Sequence, residues 1–122
     1  MPIVTVELVG DEQHAGASLL SQSLADEIAR AMHSSAGQTW VRVRWLRRCD
    51  YAENGPPLTD EQLPVFVSIL KREAPVGREL KAEIVALADV VSRIVGRPTD
   101  SVHIEYMPGA LGRVAFGGKL VE

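Results

Sequence analysis

The sequence has 122 residues, of which 46% are hydrophobic and 24% charged, as expected for a single globular domain with its own core. A formal net charge of −3 excludes the basic footprint of a general nucleic-acid or anionic-membrane binder, and no apolar run approaches the ~20 residues of a spanning helix. Cys49 is the one cysteine, so no internal disulfide can form, and we expect a soluble protein of the reducing cytoplasm.

The first half of the chain predicts a strand, a helix and a second strand. Apolar and polar residues alternate over residues 2–9, which is the periodicity of a strand. Residues 17–36 predict an amphipathic helix that ends at Gly37, because one apolar residue recurs every four positions. These apolar positions are Leu20, Leu24, Ile28 and Met32. Alternation returns over residues 39–45, which predicts the second strand.

The same pattern is repeated in the second half, after a proline-containing linker at residues 53–63. Residues 64–70 predict a strand, a second amphipathic helix follows, and residues 102–106 predict a fourth strand. The apolar positions of this helix are Leu80, Ile84, Leu87, Val91 and Ile94. Residues 107–120 predict a turn and a small hairpin.

Each strand–helix–strand unit predicts a right-handed crossover between two parallel strands. Two tandem β-α-β units then give an α+β fold, with a four-stranded mixed sheet and both helices on one face. We expect one domain over residues 1–122, with repeat 1 at about 2–52 and repeat 2 at about 64–122. The other face of the sheet has no cover of its own and mixes apolar with charged residues. We therefore expect an oligomer that buries this face, of an order that spacing alone does not give.

Three features occur together and resemble the tautomerase superfamily over nearly the whole chain. They are Pro2 directly behind Met1, the doubled β-α-β unit, and the segments 96–104 and 112–120, the second of which is rich in glycine. The doubled length is similar to fused members such as cis-3-chloroacrylic acid dehalogenase and malonate semialdehyde decarboxylase, rather than to the half-length 4-oxalocrotonate tautomerase (4-OT). The resemblance implies a homotrimer and a reaction that needs no cofactor.

The resemblance also implies that Pro2 is the catalytic base. Removal of Met1, which is efficient before a small residue, would leave Pro2 with a free secondary amine. An α-amino group titrates near ~8 in water, and burial beside a cation lowers its pKa further. A neutral amine can take a proton from the carbon beside a carbonyl and return it elsewhere. Pro64 occupies the matching position, but its internal nitrogen is an amide and cannot act as a base. A strand-initiating proline is the structural alternative for Pro2.

In fused members of the family, an arginine pair after the third strand binds the substrate carboxylate. Arg72 matches the first of the pair, while Lys71 beside it and Arg78 beyond a loop of different length are candidates to assist. A planar guanidinium meets two carboxylate oxygens, whereas an ammonium offers a point charge. A solvated strand end is the alternative interpretation of Lys71 and Arg72.

Four further positions match the family less specifically. His33 falls near the end of the first helix, where dehalogenase-like members carry a histidine that contacts substrate, although it equally suits the helix dipole. Tyr106 resembles an active-site tyrosine, and Glu105 competes for that alignment. Arg113 and Phe116 of the closing segment complete the candidates for substrate binding.

The remaining polar residues indicate no second chemistry. Four arginines lie between positions 42 and 48, and their alternation along a strand favours an inter-subunit face over a nucleic-acid stripe. Cys49 has no histidine at a recognisable spacing, so we interpret it as a bystander. The histidines lack ligand spacing, so we expect no metal site. They are His14, His33 and His103.

These observations predict a cofactor-independent tautomerase or isomerase of small 2-oxo or 2-hydroxy-enoic carboxylic acids. Dehalogenase-like members use a carboxylate after the fourth strand to activate water, and residues 108–112 contain none, which favours tautomerisation over dehalogenation. Decarboxylation is a further alternative, because a cationic pocket polarises a β-keto group. A non-catalytic oligomeric binding module is the alternative of another class, and retention of Met1 would point to it.

Overall fold

A computed structural model describes residues 2–11 and 17–122. The first half contains β1 (Ile3–Val9), α1 (Ala17–Ala31) and β2 (Trp40–Leu46), and the second contains β3 (Val65–Leu70), α2 (Gly77–Val95) and β4 (Val102–Tyr106). A small hairpin follows, made of β5 (Ala115–Phe116) and β6 (Lys119–Leu120). Within the described part of the chain, no helix is both long and apolar enough to cross a membrane.

The four long strands form one mixed sheet in the order β2-β1-β3-β4. The strands within each half, β1 with β2 and β3 with β4, are parallel, as predicted for each β-α-β unit. The central strands β1 and β3 are antiparallel, in a register that pairs Ile3 with Leu70 and Leu8 with Val65. The beginning of β1 therefore lies beside the end of β3 at one end of the sheet, measured along the strands.

The hydrophobic core lies between the sheet and the two helices, which confirms the predicted α+β arrangement. Alternate strand residues are buried, and side chains from both helices pack against them. Full burial of such an aliphatic side chain contributes roughly 1.5–3 kcal/mol. The fully buried members are Val4, Val6, Val65, Val67, Ile69, Leu24, Ile28, Leu87 and Val91.

Helix α1 is shorter than predicted, because it ends at Ala31 and not at Ala36. His33 adopts a left-handed conformation with φ 55°. The Ser34 N–H donates to the Ala29 carbonyl at 2.9 Å, and the His33 N–H donates to Arg30 at 3.2 Å. These two bonds form a Schellman motif, which ends a helix and usually has glycine at the left-handed position. A histidine in that role gave no sequence signal for the earlier end.

The second sheet face carries half-buried and exposed side chains, several of which are paired within the chain. Arg42 donates to the Thr5 hydroxyl at 3.2 Å, and Ser68 donates to Glu105 at 2.7 Å. Trp40 is 46% exposed on the same face. Burial of this face in an oligomer stays a prediction.

At the opposite end of the sheet, the end of β1 lies beside the beginning of β3, and the Arg97 side chain packs there. The Arg97 guanidinium donates to the backbone oxygens of Leu63 at 3.2 Å and Pro64 at 3.1 Å. Gly10 lies against the same guanidinium, since a Cβ at this residue would be 3.2 Å from Nη2. The φ of Gly10, +139°, also favours glycine. Arg97 therefore packs against the end of β1 and binds the backbone just before β3, while the Val9 N–H joins the two segments directly through the Pro64 carbonyl at 3.1 Å.

Candidate active site

Pro2, Lys71 and Tyr106 all lie at one end of the sheet, on the face that the helices cover. The antiparallel register that pairs Ile3 with Leu70 brings Pro2 opposite Lys71 when continued by one residue. The parallel register pairs Tyr106 with Ile69, two residues before Lys71 and hence on the same face. Pro2 is buried, and its carbonyl accepts a hydrogen bond from the Trp40 N–H at 3.1 Å.

Pro2 lies in a cleft of about 620 Å³ between this end of the sheet and the end of α1. Its lining residues are Pro2, Met32, His33, Ser34, Ser35, Ala36, Gln38 and Lys71. A second cleft of about 530 Å³ shares Met32, His33 and Lys71 with the first, and extends along α2 past Glu79 and Glu83. Lys71 thus stands between Pro2 and helix α2.

Glu83 holds Lys71 and Tyr106 together. The Lys71 ammonium lies 2.8 Å from Glu83 Oε1, and the two side chains are only 20% and 11% exposed. The Tyr106 hydroxyl donates to the other carboxylate oxygen, Oε2. Burial raises the pKa of the Tyr106 phenol, and the bond to Glu83 raises it further, so this group stays protonated as a donor. Each oxygen of Glu83 therefore accepts one hydrogen bond from a protein group.

The segment after β4 fixes the end of β3 next to the cleft. The Ala110 N–H donates to the Lys71 carbonyl at 2.8 Å, and the Leu111 N–H donates to the Arg72 carbonyl at 3.3 Å. Gly109 permits this approach, because a Cβ there would lie 2.8 Å from the Arg72 oxygen. The Arg113 guanidinium braces the same turn, donating to the Pro108 and Gly109 carbonyls, each at 3.0 Å. Arg113 thus has a structural use in addition to its predicted role.

The structure separates Lys71 from Arg72. Arg72 lies two residues beyond the end of β3, where its guanidinium is exposed and donates from Nε to the backbone oxygen of Glu122 at 3.0 Å. Arg72 is not among the residues that line the cleft with Pro2. Arg78 is exposed in the first turn of α2. Carboxylate binding by Arg72 and Arg78 stays a prediction, and the described cation in the cleft is Lys71.

The other candidates divide between the cleft and its surroundings. His33 is exposed and lines both clefts. Phe116 packs edge-on against Trp40, the first residue of β2, with ring centroids 5.0 Å apart, and the Trp40 N–H is the group that donates to Pro2. His14 lies outside the described residues. Within residues 2–11 and 17–122, no three His, Cys, Asp or Glu side chains are grouped so as to hold a metal ion.

Glu83 is the site residue that sequence patterns did not indicate. It lies three residues after Leu80 and four before Leu87, which puts a carboxylate on the apolar stripe of α2. A charge on a buried stripe is costly unless it is paired. A carboxylate on the apolar stripe of α2 is therefore the sequence signal from which a cationic partner at this end of the sheet could have been inferred.

The four-stranded mixed sheet and the two helices that cover it define the β-α-β tautomerase fold, with Pro2 at one end of the sheet. No protein-family model and no curated protein sequence matches the chain. Solved structures do match over almost its full length. A protein inactivated by 2-oxo-3-pentynoate has a TM-score of 0.77 at 15% identity, with 98% of this chain and 94% of that chain covered.

Two further solved structures are similar. A fused 4-OT, a symmetric trimer, has a TM-score of 0.75 at 18% identity, with 98% and 94% of the two chains covered. Malonate semialdehyde decarboxylase has a TM-score of 0.68 at 16% identity, with 94% and 90% covered. At these identities the likeness establishes the fold. The predicted resemblance to the tautomerase superfamily is confirmed at that level.

Proposed function

We propose that the chain is a cofactor-independent tautomerase of small 2-oxo or 2-hydroxy-enoic carboxylic acids, with Pro2 as the base and acid. The observation that carries this proposal is a buried Pro2 that shares a cleft with one cation, Lys71. After removal of Met1, the Pro2 amine would titrate below the ~8 of an exposed α-amino group, because burial and a nearby ammonium both disfavour its protonation.

The reaction needs only a proton transfer. The neutral Pro2 amine removes a proton from C3 of a 2-oxo acid, and the electron pair moves onto the carbonyl oxygen to give the enolate. The pyrrolidinium then returns the proton to that oxygen to give the enol. In the reverse direction the neutral amine removes the hydroxyl proton of the enol, and the resulting pyrrolidinium delivers a proton to carbon. Lys71 attracts the carboxylate and the oxygen on which negative charge develops. His33 lines the same cleft and would contact the substrate from α1.

Decarboxylation of a small 3-oxo acid is the second candidate. It is supported by the structural likeness to malonate semialdehyde decarboxylase and by a cation in the cleft that would hold the developing enolate. Hydrolytic dehalogenation is less well supported, because residues 108–112, which follow β4, contain no carboxylate that could activate water.

We also infer a homotrimer in the cytoplasm. The trimer is supported by the uncovered sheet face and by the trimeric assembly of the fused 4-OT neighbour. Light scattering after size-exclusion chromatography would measure the mass directly, and a monomeric mass would contradict this part of the proposal.

Pro2→Ala tests the function, with Pro64→Ala as the matched control. Mass spectrometry first establishes whether the mature chain begins at Pro2. We expect Pro2→Ala to lower kcat/KM for ketonisation of phenylenolpyruvate by about 100-fold or more, the usual scale of general acid–base catalysis. Pro64→Ala removes a buried strand proline that has no free amine, so we expect it to retain activity. Equal activity in both variants, or full activity with Met1 in place, would overturn Pro2 as the base, and no ketonisation by the wild type would favour a binding module.

A further inference from the structure

Glu83 puts a negative charge beside a cleft that we expect to bind anions. Its carboxylate is 11% exposed and accepts one bond from the Lys71 ammonium and one from the Tyr106 hydroxyl. Because the phenol is neutral, the three groups together carry no net charge. The other ionisable groups that line the two clefts are the Pro2 amine, which is neutral in the proposed function, and the side chains of His33 and Glu79. At neutral pH the described part of the cleft is therefore not strongly cationic.

We propose that Glu83 is a specificity-determining residue that restricts the site to monocarboxylates. This inference rests on the proposed function and specifies its substrate class. Lys71 retains donors beyond the one that Glu83 accepts, so it can hold one substrate carboxylate. A second carboxylate that extends into the adjoining cleft, which Lys71 and Glu83 line, meets the charge of Glu83 in a partly buried setting where repulsion is weakly screened. A substrate with one carboxylate and a neutral remainder avoids this repulsion.

Glu79 does not have the same effect, although it lines the same cleft one helical turn earlier. It is exposed, so water and salt screen its charge. The carboxylate of Glu83 is nearly buried and is held at both oxygens. The two glutamates on α2 therefore form a matched pair, with the same charge and cleft but different burial.

The test measures equilibrium binding of two unreactive acids of equal chain length, hexanoate with one carboxylate and adipate with two. Both are titrated near neutral pH into wild type, Glu83→Gln and Glu79→Gln, with NMR shifts of cleft residues as the readout. Wild type should bind hexanoate more tightly than adipate. Glu83→Gln should shift the affinity ratio toward adipate on the order of tenfold, and Glu79→Gln by less than about twofold. Glutamine keeps the shape and can still accept from Tyr106.

Three results would overturn the proposal. They are tighter binding of adipate than of hexanoate by wild type, equal shifts of the ratio in the two glutamine variants, and no response of the cleft to either acid. If Glu83→Gln fails to fold, Glu83→Asp replaces it. Because aspartate keeps the negative charge, this variant should still bind hexanoate more tightly than adipate, and loss of that preference would also contradict the proposal. Since neither acid reacts, an inactive protein still gives an answer, so failure here is distinct from failure of Pro2 as the base.

Discussion

The ion pair between Lys71 and Glu83 should stabilise the fold as well as shape the cleft. Breaking a fully buried pair by removing one partner costs about 3–5 kcal/mol, whereas an exposed pair contributes about 0–1 kcal/mol. With side chains 20% and 11% exposed, this pair lies between those limits. We expect Lys71→Met to lower the free energy of unfolding by about 2 kcal/mol, because it leaves Glu83 charged and without its cation. Glu83→Gln should cost about 1 kcal/mol, because Tyr106 keeps an acceptor.

A double-mutant cycle measures the interaction itself. Urea unfolding of wild type, the two single variants and the double variant should give a coupling of about 1–1.5 kcal/mol, since the double variant leaves no unpaired charge. The control cycle uses Arg93 and Asp89, an exposed pair on α2 separated by 3.8 Å, for which we expect no more than about 0.5 kcal/mol. Costs at Lys71 and Glu83 that add to within about 0.3 kcal/mol would refute the assignment of this pair as a stabilising contact.

Two further predictions concern His33 and the tyrosines. Because His33 has a φ of 55°, we expect the His33→Gly variant to have a free energy of unfolding about 1 kcal/mol higher than that of His33→Ala. A glycine variant that is less stable than the alanine variant would contradict the Schellman assignment. In a separate measurement, lower kcat/KM in both variants would support contact between His33 and the substrate. The pKa of Tyr51 is raised to about 12, chiefly by its bond to Glu53, and that of Tyr106 is raised by burial and Glu83. Native protein should therefore form little tyrosinate just above pH ~10, where the urea-unfolded chain ionises, and stability should fall as pH rises past that value. Tyr106→Phe should make this fall shallower, and identical tyrosinate absorbance of native and unfolded protein would refute the shifts.

Most of the fold follows from local periodicity. Strand alternation gave the four strands to within one residue at each end, as in β3, which was predicted at 64–70 and runs Val65–Leu70. The antiparallel order of the central pair is a tertiary property that no local pattern encodes. The end of α1 was predicted five residues late, because a histidine occupies the left-handed position that glycine usually marks.

The candidate site was predicted in part. Pro2 and Lys71 were identified from the resemblance, and the structure brings them into one cleft. Lys71 and Arg72 follow the end of the predicted strand at residue 70, so the strand pattern did not determine which of them lines the cleft. The bond between Glu83 and Tyr106 joins residues 23 positions apart, and it depends on how α2 docks on the sheet. Such a contact is set by packing geometry, which sequence spacing does not determine.

The antiparallel junction of β1 and β3 makes the two ends of the sheet different environments. Pro2 borders an open cleft at one end, whereas Pro64 is buried at the other, and its carbonyl is capped by Arg97 and by the Val9 N–H at 3.1 Å. Under the proposed function, the reactive amine lies at one end of the sheet, and Arg97 reinforces the other end. Substitutions around Pro2 can alter the reaction without loosening the clamp that joins the halves. Conversely, repair or reinforcement of the Arg97 end offers a route to a more robust protein whose cleft is left intact.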